Sequence, residues 1–295
     1  GFKAFFIGIG SHECKTLGIE GEDFQGVYPG VAFLREVNLG NRITLGDRVA
    51  VIGGGNVAMD SVRTALRTGS KQPFVIYRRS EAEMPASEEE IEECREEGIE
   101  IMTLTNPVRV VADNGKVTAI ECIKMALGPP DESGRRRPVP IEGSEFTVEV
   151  DAVIPAIGQE SDWACLTDEC ACTLTDWGTM QVDPVTLQTQ DADIFAGGDA
   201  VTGPATVVEA IGATHRAVDN MIRDLEGHLE ADQERSVPET AAKGVAGPSP
   251  ADECTWSGIP TDCAPQAREQ ITHLDWAVRV AGFEEESIGL TEAQA

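Results

Sequence analysis

The fold of this chain is decided by one stretch of sequence, Val49-Ala50-Val51-Ile52-Gly53-Gly54-Gly55-Asn56-Val57-Ala58-Met59-Asp60. The four apolar residues indicate a buried strand, and the small residues after them fit the pattern G-x-G-x-x-A between a strand and a helix. In such a turn Gly53 permits the tight bend, Gly55 lets the backbone approach a pyrophosphate, and Ala58 lets helix and strand pack closely. The stretch therefore predicts a dinucleotide-binding turn.

The sequence on either side completes a unit of strand, helix and strand. Arg48–Ile52 and Pro73–Tyr77 have the composition of parallel strands, and Val57–Thr68 has the spacing of an amphipathic helix. The first turn of that helix offers N–H groups and a partial positive charge to phosphates. The residues predicted to bind the dinucleotide are Gly53, Gly54, Gly55, Asn56, Val57, Ala58 and Asp60. The alternative is a glycine turn in a similar fold that binds no ligand.

The residues after the second strand indicate which dinucleotide binds. An NAD site usually places a carboxylate there, on the ribose 2′-hydroxyl. This chain has Tyr77-Arg78-Arg79-Ser80 instead. Guanidinium groups fork onto a 2′-phosphate, which a carboxylate would repel. We predict that the cofactor is NADPH and that Arg78 and Arg79 bind its 2′-phosphate; the alternative is that both are surface cations.

The composition and net charge of the chain argue against nucleic acid as a binding partner and against a membrane span. The 295 residues include 51 acidic and 23 basic side chains, which gives a net charge of −28. This charge repels polyanions, so no nucleic-acid partner is predicted. No apolar stretch approaches the ~20 residues that a membrane span needs, so no span is predicted.

The cysteines and the charged runs suggest a reducing compartment and solvated surfaces. The 8 cysteines contain no C-x-x-C pair, so we predict no disulfide framework and a cytoplasmic location. Cys165, Cys170 and Cys172 fit no zinc or iron–sulfur spacing; no metal site is predicted and their role stays open.

The acidic helix of residues 87–98 is predicted to face solvent. The basic island Arg135–Arg137 is predicted to be a solvated hairpin turn, with docking of an acidic partner as the alternative.

Further elements are predicted along the rest of the chain. Apolar runs predict strands at 4–10, 99–104, 108–112, 117–125, 146–150, 151–157 and 191–196, and helical spacing predicts helices at 31–38 and 206–226. Asn114-Gly115 is typical of a hairpin turn. Residues 231–295 are predicted to be a linker and C-terminal tail, with a helical pattern in 266–295.

A second glycine motif ends a late strand, in Asp193-Ile194-Phe195-Ala196-Gly197-Gly198-Asp199-Ala200, followed by Gly203-Pro204-Ala205-Thr206 and a helix. A carboxylate there can reach sugar hydroxyls, and the helix N-terminus can stabilise negative charge on an electron-accepting ring. Together with Ile9-Gly10-Ser11, Met84-Pro85-Ala86 and Pro155-Ala156-Ile157-Gly158-Gln159, these motifs resemble the FAD- and NAD(P)-dependent oxidoreductases of the glutamate synthase small (beta) subunit type. The resemblance covers about residues 4–225.

The resemblance implies an α/β fold of two Rossmann-like, glutathione-reductase-type domains. An NAD(P) domain of residues 41–151 would be inserted into an FAD domain of residues 1–40 and 152–230, with Gly10 and Gly158 marking the crossings. Gly198 and Asp199 would contact the FAD ribityl and pyrophosphate, and Thr206 and Val207 would lie near the flavin pyrimidine. Ala156 is included among the cofactor-binding residues.

The implied reaction is hydride transfer from NADPH to FAD, then passage of electrons to an iron–sulfur domain or subunit; a glutamate synthase large subunit is one candidate partner. The flavin does this chemistry, so no catalytic side chain is predicted. The amino-terminal cysteine ligands and first G-x-G-x-x-G of the family are not in this sequence, so we expect an incomplete FAD domain and a sequence cut at both ends. Two alternatives stay open: a non-catalytic NADPH sensor or scaffold, and a pyridine nucleotide–disulfide reductase relative, which the missing C-x-x-C disfavours.

Overall fold

The computed structural model describes residues 1–130, 136–164, 166, 172–227, 272–283 and 287–289. In chain order the elements are β1 (Phe5–Ile7), β2 (Glu13–Cys14), α1 (Gly30–Asn38), β3 (Arg48–Ile52), α2 (Asn56–Arg67), β4 (Gln72–Ile76), a 3-10 turn (Glu81–Glu83), α3 (Glu88–Glu96), β5 (Glu100–Met102), β6 (Thr105–Asp113), β7 (Lys116–Pro130), β8 (Arg136–Pro140), β9 (Phe146–Glu149), β10 (Ala152–Pro155), β11 (Gln159–Glu160), β12 (Ile194–Ala196), α4 (Asp199–Thr202), α5 (Val207–Leu225), β13 (Thr272–His273), α6 (Trp276–Arg279) and β14 (Ser287–Gly289). The predictions for Cys165, Cys170, Arg135 and the linker of residues 231–271 lie outside the described residues. No helix in the described ranges is both long and apolar enough to cross a membrane.

The chain folds as two compact units. One contains Gly1–Glu13 and Gln159–Arg268, and the other contains Cys14–Gly158 and Glu269–Ala295. We call them the smaller and the larger unit. The chain passes between the units after Glu13 and after Gly158, near the crossings that the resemblance implied at Gly10 and Gly158, whereas the predicted domain bounds were at 40/41 and 151/152. The reason is tertiary: α1 packs against α2, and β10 pairs with β3, so both belong to the larger unit.

A parallel sheet forms the centre of the larger unit, in the order β10-β3-β4-β5. The predicted strand, helix and strand are confirmed as β3, α2 and β4, because the buried faces follow the apolar periodicity of the sequence. Four of the five β3 residues are buried, and α2 turns Ala58, Met59, Val62 and Ala65 into the core beside them. This packing fixes the glycine turn between β3 and α2 at the carboxyl edge of the sheet.

An antiparallel sheet of β6, β7, β8 and β9 completes the larger unit. The hairpin predicted at Asn114-Gly115 joins β6 to β7, and both residues have the positive φ that such a turn requires, 50° and 79°. The strand predicted at 117–125 is longer than expected, since β7 continues to Pro130 and pairs with β8 beyond β9. The hairpin of β7 and β8 thus extends the sheet past its predicted end.

The smaller unit contains a parallel pair of strands and a long helix. β1 pairs with β12 in the register Phe5↔Ile194, and α5 packs against β12. Thr206 and Glu209 form a capping box at the start of α5, where the sequence predicted the helix to begin.

The described part of the C-terminal segment is not helical throughout. Thr272–His273 and Ser287–Gly289 form an antiparallel pair, and the helix between them has only 4 residues, so the helical prediction is wrong here. This segment contacts α3 of the larger unit. Arg279 is buried and forms an ion pair with Glu96, and His273 Nδ1 lies 3.5 Å from a Glu93 carboxylate oxygen.

Candidate cofactor sites

Gly53 begins the turn in a conformation that the fold itself demands. Its φ is +146°, and a Cβ on this residue would lie 2.2 Å from the Ala156 carbonyl oxygen. Its N–H donates to the Ile76 carbonyl oxygen at 3.0 Å, while the Ala156 N–H donates to the Ile52 oxygen at 2.7 Å. Ala156 therefore forms the wall that holds the turn, and any side chain at Gly53 collides with it.

Gly54 and Gly55 have different requirements. A Cβ on Gly54 would meet the Tyr77 ring at 2.6 Å, so the protein requires glycine there. Gly55 has an ordinary φ of −96°, and a Cβ on it would meet only Pro85, at 3.7 Å. Neither packing nor backbone conformation requires glycine at position 55, and the absence of a side chain there leaves room for the phosphates of a ligand to approach the backbone closely.

The start of α2 is suited to an anion. Gly55 is the N-cap residue and no side chain caps the helix. The Asn56 side chain instead accepts the Ser87 N–H at 3.1 Å, at the start of α3. The unbonded N–H groups of a helix's first turn, with its partial positive charge, bind phosphate. Asp60, also predicted here, is exposed on α2, and Val57 is half-buried.

A loop after β4 covers the glycine turn, which the sequence did not reveal. The Ala86 N–H donates to the Gly54 carbonyl oxygen at 3.0 Å, and the Tyr77 hydroxyl donates to the Glu83 carbonyl oxygen at 2.6 Å. In the sequence, Met84-Pro85-Ala86 contributes only to the family resemblance. The segment lies against the glycine turn and forms one wall of it.

Arg78 and Arg79 were predicted to act alike but lie in different surroundings. Arg78 is exposed just beyond the carboxyl end of β4. Arg79 is buried, with 8 % exposure, and its Nε donates to the Arg136 carbonyl oxygen at 2.8 Å. At least part of the Arg79 guanidinium is therefore committed to the β8 backbone, and Arg78 is the better placed of the two for a phosphate.

The smaller unit brings together the residues of the second glycine motif. Gly198 is buried, with a left-handed φ of 66°, and turns the chain into α4. The Ser11 hydroxyl donates to the Asp199 carbonyl oxygen at 3.2 Å, and the Ser161 hydroxyl donates to the Gly10 carbonyl oxygen at 2.6 Å. These bonds hold the loop after β1 beside the start of α4.

The Asp199 carboxyl group has an unusual environment. Its Oδ1 is buried and has no hydrogen-bond partner within the described ranges. Burial raises the pKa of Asp199 and the Glu209 charge adds to the shift, against the Ala205 N–H, which lowers it. A buried acceptor without a donor is costly. A ribityl hydroxyl of FAD is a donor of the kind that this oxygen lacks, so the residues present fit the predicted group.

Thr206 and Val207 have a role in the fold besides the predicted one. The Thr206 N–H and hydroxyl both bond to the Glu209 carboxylate, at 2.8 and 2.6 Å, while Val207 is 74 % exposed.

Gly10 and Gly158, at the predicted crossings, both have positive φ values. Ala156 and Gly158 belong to the larger unit, and the other residues predicted for FAD belong to the smaller one.

The described cysteines do not form a dithiol centre. Cys14, Cys94, Cys122 and Cys172 are all free thiols. Burial raises the pKa of Cys94 and of Cys122 to about 12, so both are protonated at neutral pH. Cys172 lies 3.6 Å from the Thr189 hydroxyl.

Known proteins resemble this chain in sequence and in fold. The β subunit of the NADP(+)-dependent formate dehydrogenase of Moorella thermoacetica is 48 % identical over 219 residues, which are 73 % of this chain and 31 % of that protein. The small chain of Escherichia coli glutamate synthase [NADPH] is 36 % identical over 243 residues, 76 % of this chain and 51 % of that one. The structure of Mycobacterium tuberculosis FprA in complex with NADPH matches with a TM-score of 0.63 at 18 % identity, over 81 % of this chain and 67 % of that one.

These similarities confirm the predicted α/β fold of Rossmann-like domains and the resemblance to the glutamate synthase small subunit. The chain spans only about a third of the length of the formate dehydrogenase subunit. A family model described as pyridine nucleotide-disulphide oxidoreductase matches residues 1–214. The chain therefore belongs to the pyridine nucleotide-disulphide oxidoreductase family.

Proposed function

We propose that this chain is the NADPH-oxidising part of a flavoprotein that passes hydride from NADPH to FAD and electrons onward to a partner. The observation that carries the proposal is the start of α2, where no side chain caps the helix and Gly55 has no side chain to obstruct a phosphate that approaches the backbone N–H groups. Arg78, exposed at the end of the neighbouring strand, fits a cofactor with a 2′-phosphate.

The residues of the chain bind and orient; none of them transfers a proton in this proposal. Gly53, Gly54 and Gly55 bring the backbone up to the pyrophosphate, and Arg78 selects the phosphorylated ribose. In the smaller unit, the Asp199 carboxylate accepts a hydrogen bond from a ribityl hydroxyl of FAD, and the turn at Gly198 positions Asp199 for this bond. When bound, FAD supplies the hydride-accepting chemistry.

The partner is proposed from the similar proteins, whose names describe them as subunits or chains of oxidoreductases. We propose an iron–sulfur domain or subunit as the electron acceptor, with a glutamate synthase large subunit as one candidate. A cytoplasmic location is proposed from the cysteine pattern alone. The rival proposal is an NADPH sensor or scaffold without turnover.

The colour of the purified protein distinguishes the proposed flavoenzyme from the rival proposal of an NADPH sensor. The purified full-length protein that contains this chain is expected to be yellow, and to be bleached by NADPH under anaerobic conditions. A colourless protein that binds NADPH would support the sensor instead.

Replacing Arg78 by glutamine tests the choice of cofactor. A charge-assisted hydrogen bond contributes about 1.5–3 kcal/mol, so we expect the Kd for NADPH to rise roughly 10- to 100-fold and the Kd for NADH to stay unchanged. Both are measured by calorimetric titration. Arg42→Gln is the matched control, because Arg42 is an exposed cation that precedes β3 in the chain, whereas Arg78 follows the carboxyl end of β4. Equal affinities of wild type for NADPH and NADH would refute the choice of NADPH.

Replacing Asp199 by asparagine is expected to separate stability from flavin binding. Because the pKa of Asp199 is raised, its ionised form opposes folding of the flavin-free protein as pH rises through that pKa. At pH 7 the flavin-free variant should therefore have an unchanged or higher Tm. The Kd for FAD should rise about tenfold, since a neutral acceptor replaces a charged one. Calorimetry and flavin fluorescence measure the two effects, and an unchanged FAD affinity would remove Asp199 from the site.

A further inference from the structure

We propose that the hairpin of β7 and β8 supplies a second cation, Arg137, to the 2′-phosphate of the dinucleotide, and that Arg79 is the positioning residue that holds the hairpin there. This inference rests on the proposed function, since it presumes a phosphorylated ribose beyond the carboxyl end of β4. The sequence suggested only a solvated turn or an acidic partner for the basic island to which Arg137 belongs.

The backbone ties the hairpin to the end of β4. Leu104 donates its N–H to the Arg79 carbonyl oxygen at 3.0 Å and accepts the Met125 N–H at 2.8 Å. Leu104 has a φ of 50°, a conformation that is uncommon for a residue other than glycine. These bonds place the residues after β4 alongside the segment 103–105, and that segment alongside β7. Met125 in turn is paired with Pro140 on β8.

The Arg79 side chain adds a direct hydrogen bond between the residues after β4 and the hairpin of β7 and β8. Arg79 is a buried residue, and its Nε donates to the Arg136 carbonyl oxygen at 2.8 Å, one residue before Arg137. Burial of a guanidinium is costly unless it is hydrogen-bonded, so this bond fixes β8 beside the residues after β4. Arg79 therefore acts on the phosphate through the hairpin.

Arg136 and Arg137 differ in how their side chains are used. The Arg136 guanidinium donates to the Leu127 and Gly128 carbonyl oxygens, at 3.0 and 3.3 Å, and so is committed to the hairpin. Successive side chains of a strand point to opposite faces, so Arg137 leaves β8 on the other side. Arg137 is exposed, and its side chain forms no hydrogen bond or ion pair with the residues that the structure describes.

Arg137 has no carboxylate partner among the residues that the structure describes, although the chain has a net charge of −28. Three other cations of the larger unit do have one: Lys71 pairs with Asp47, Arg95 with Glu81, and Arg109 with Glu121. Arg137 instead stands next to the residue that bonds Arg79, and Arg79 adjoins the exposed Arg78. A dianionic phosphate bound at Arg78 is the anion that this arrangement fits.

The test compares NADP+ with NAD+ in titrations of the full chain. For Arg137→Gln we expect the Kd for NADP+ to rise about tenfold and the Kd for NAD+ to stay the same, because only the 2′-phosphate loses a partner. The salt dependence of NADP+ binding should also weaken, since one fewer cation meets the phosphate. Arg137→Lys should restore part of the affinity, and Arg42→Gln should change neither constant.

The outcomes distinguish this inference from the proposed function. If Arg78→Gln abolishes the preference for NADP+ and Arg137→Gln leaves the ratio of the two constants unchanged, the inference is wrong and the proposed function stands. Equal losses for NADP+ and NAD+ in Arg137→Gln also overturn it, because they indicate a distorted hairpin. A wild-type chain without any preference for NADP+ overturns the NADPH proposal itself.

Discussion

Replacing Glu97 by glutamine is expected to destabilise the larger unit by about 3–5 kcal/mol, the cost of removing one partner of a buried ion pair. The Glu97 side chain is fully buried after α3, and it accepts hydrogen bonds from two guanidinium groups on α2. The Arg63 Nη2 lies 2.7 Å from Oε1, and the Arg67 Nη1 lies 3.0 Å from Oε2. Glutamine would keep the shape of the side chain and leave two buried cations without this charge.

The pH dependence of the stability loss in Glu97→Gln tests whether the charge of Glu97 causes it. Burial alone would raise the pKa of Glu97, but the hydrogen bonds from Arg63 and Arg67 hold that pKa below its ordinary value. A carboxylate with a lowered pKa contributes stability above its unfolded pKa and loses this contribution as pH falls through its folded pKa. The difference between wild type and Glu97→Gln should therefore be full at pH 7 and shrink below about pH 4.

Urea denaturation followed by circular dichroism measures this difference, with an unchanged slope as evidence that the same transition is compared. Glu89→Gln is the matched control, because Glu89 is exposed on α3, the helix that Glu97 directly follows, and carries the same charge. If the two variants lost equal stability, net charge would account for the effect and the buried network would not.

The ion pairs between Arg63 and the acidic residues of α3 and Glu97 were not predicted from the sequence. The acidic helix was predicted to face solvent, yet Glu90, Glu93 and Glu97 all lie near the Arg63 guanidinium. Their spacing of three and four residues places them on one face of a helix, and that signal was present in the sequence. What the sequence did not contain was the partner helix, since α2 and α3 meet only through tertiary packing.

Local patterns were enough for the parts of the site that one segment builds. The unit of β3, α2 and β4 and the glycine turn follow from apolar periodicity and small residues within about thirty positions. The different surroundings of Arg78 and Arg79 did not follow, because they depend on where β8 lies. The place of β10 in the sheet was missed for the same reason: its partner β3 is distant in sequence.

Replacing Gly55 by alanine is expected to leave the fold intact and to weaken NADPH binding roughly 10- to 100-fold, because losing one hydrogen bond from the backbone to a charged phosphate costs about 1.5–3 kcal/mol. The new Cβ would meet only Pro85, at 3.7 Å, and φ of −96° suits any residue. It would stand where the pyrophosphate must approach the backbone. Gly53→Ala should show the opposite pattern: its Cβ would lie 2.2 Å from the Ala156 oxygen, at a φ of +146°, so the larger unit should unfold at a lower temperature whether or not NADPH is present. Thermal unfolding and NADPH titration of both variants decide the matter. A folded Gly55→Ala protein with wild-type affinity for NADPH would show that the cofactor does not bind at this turn.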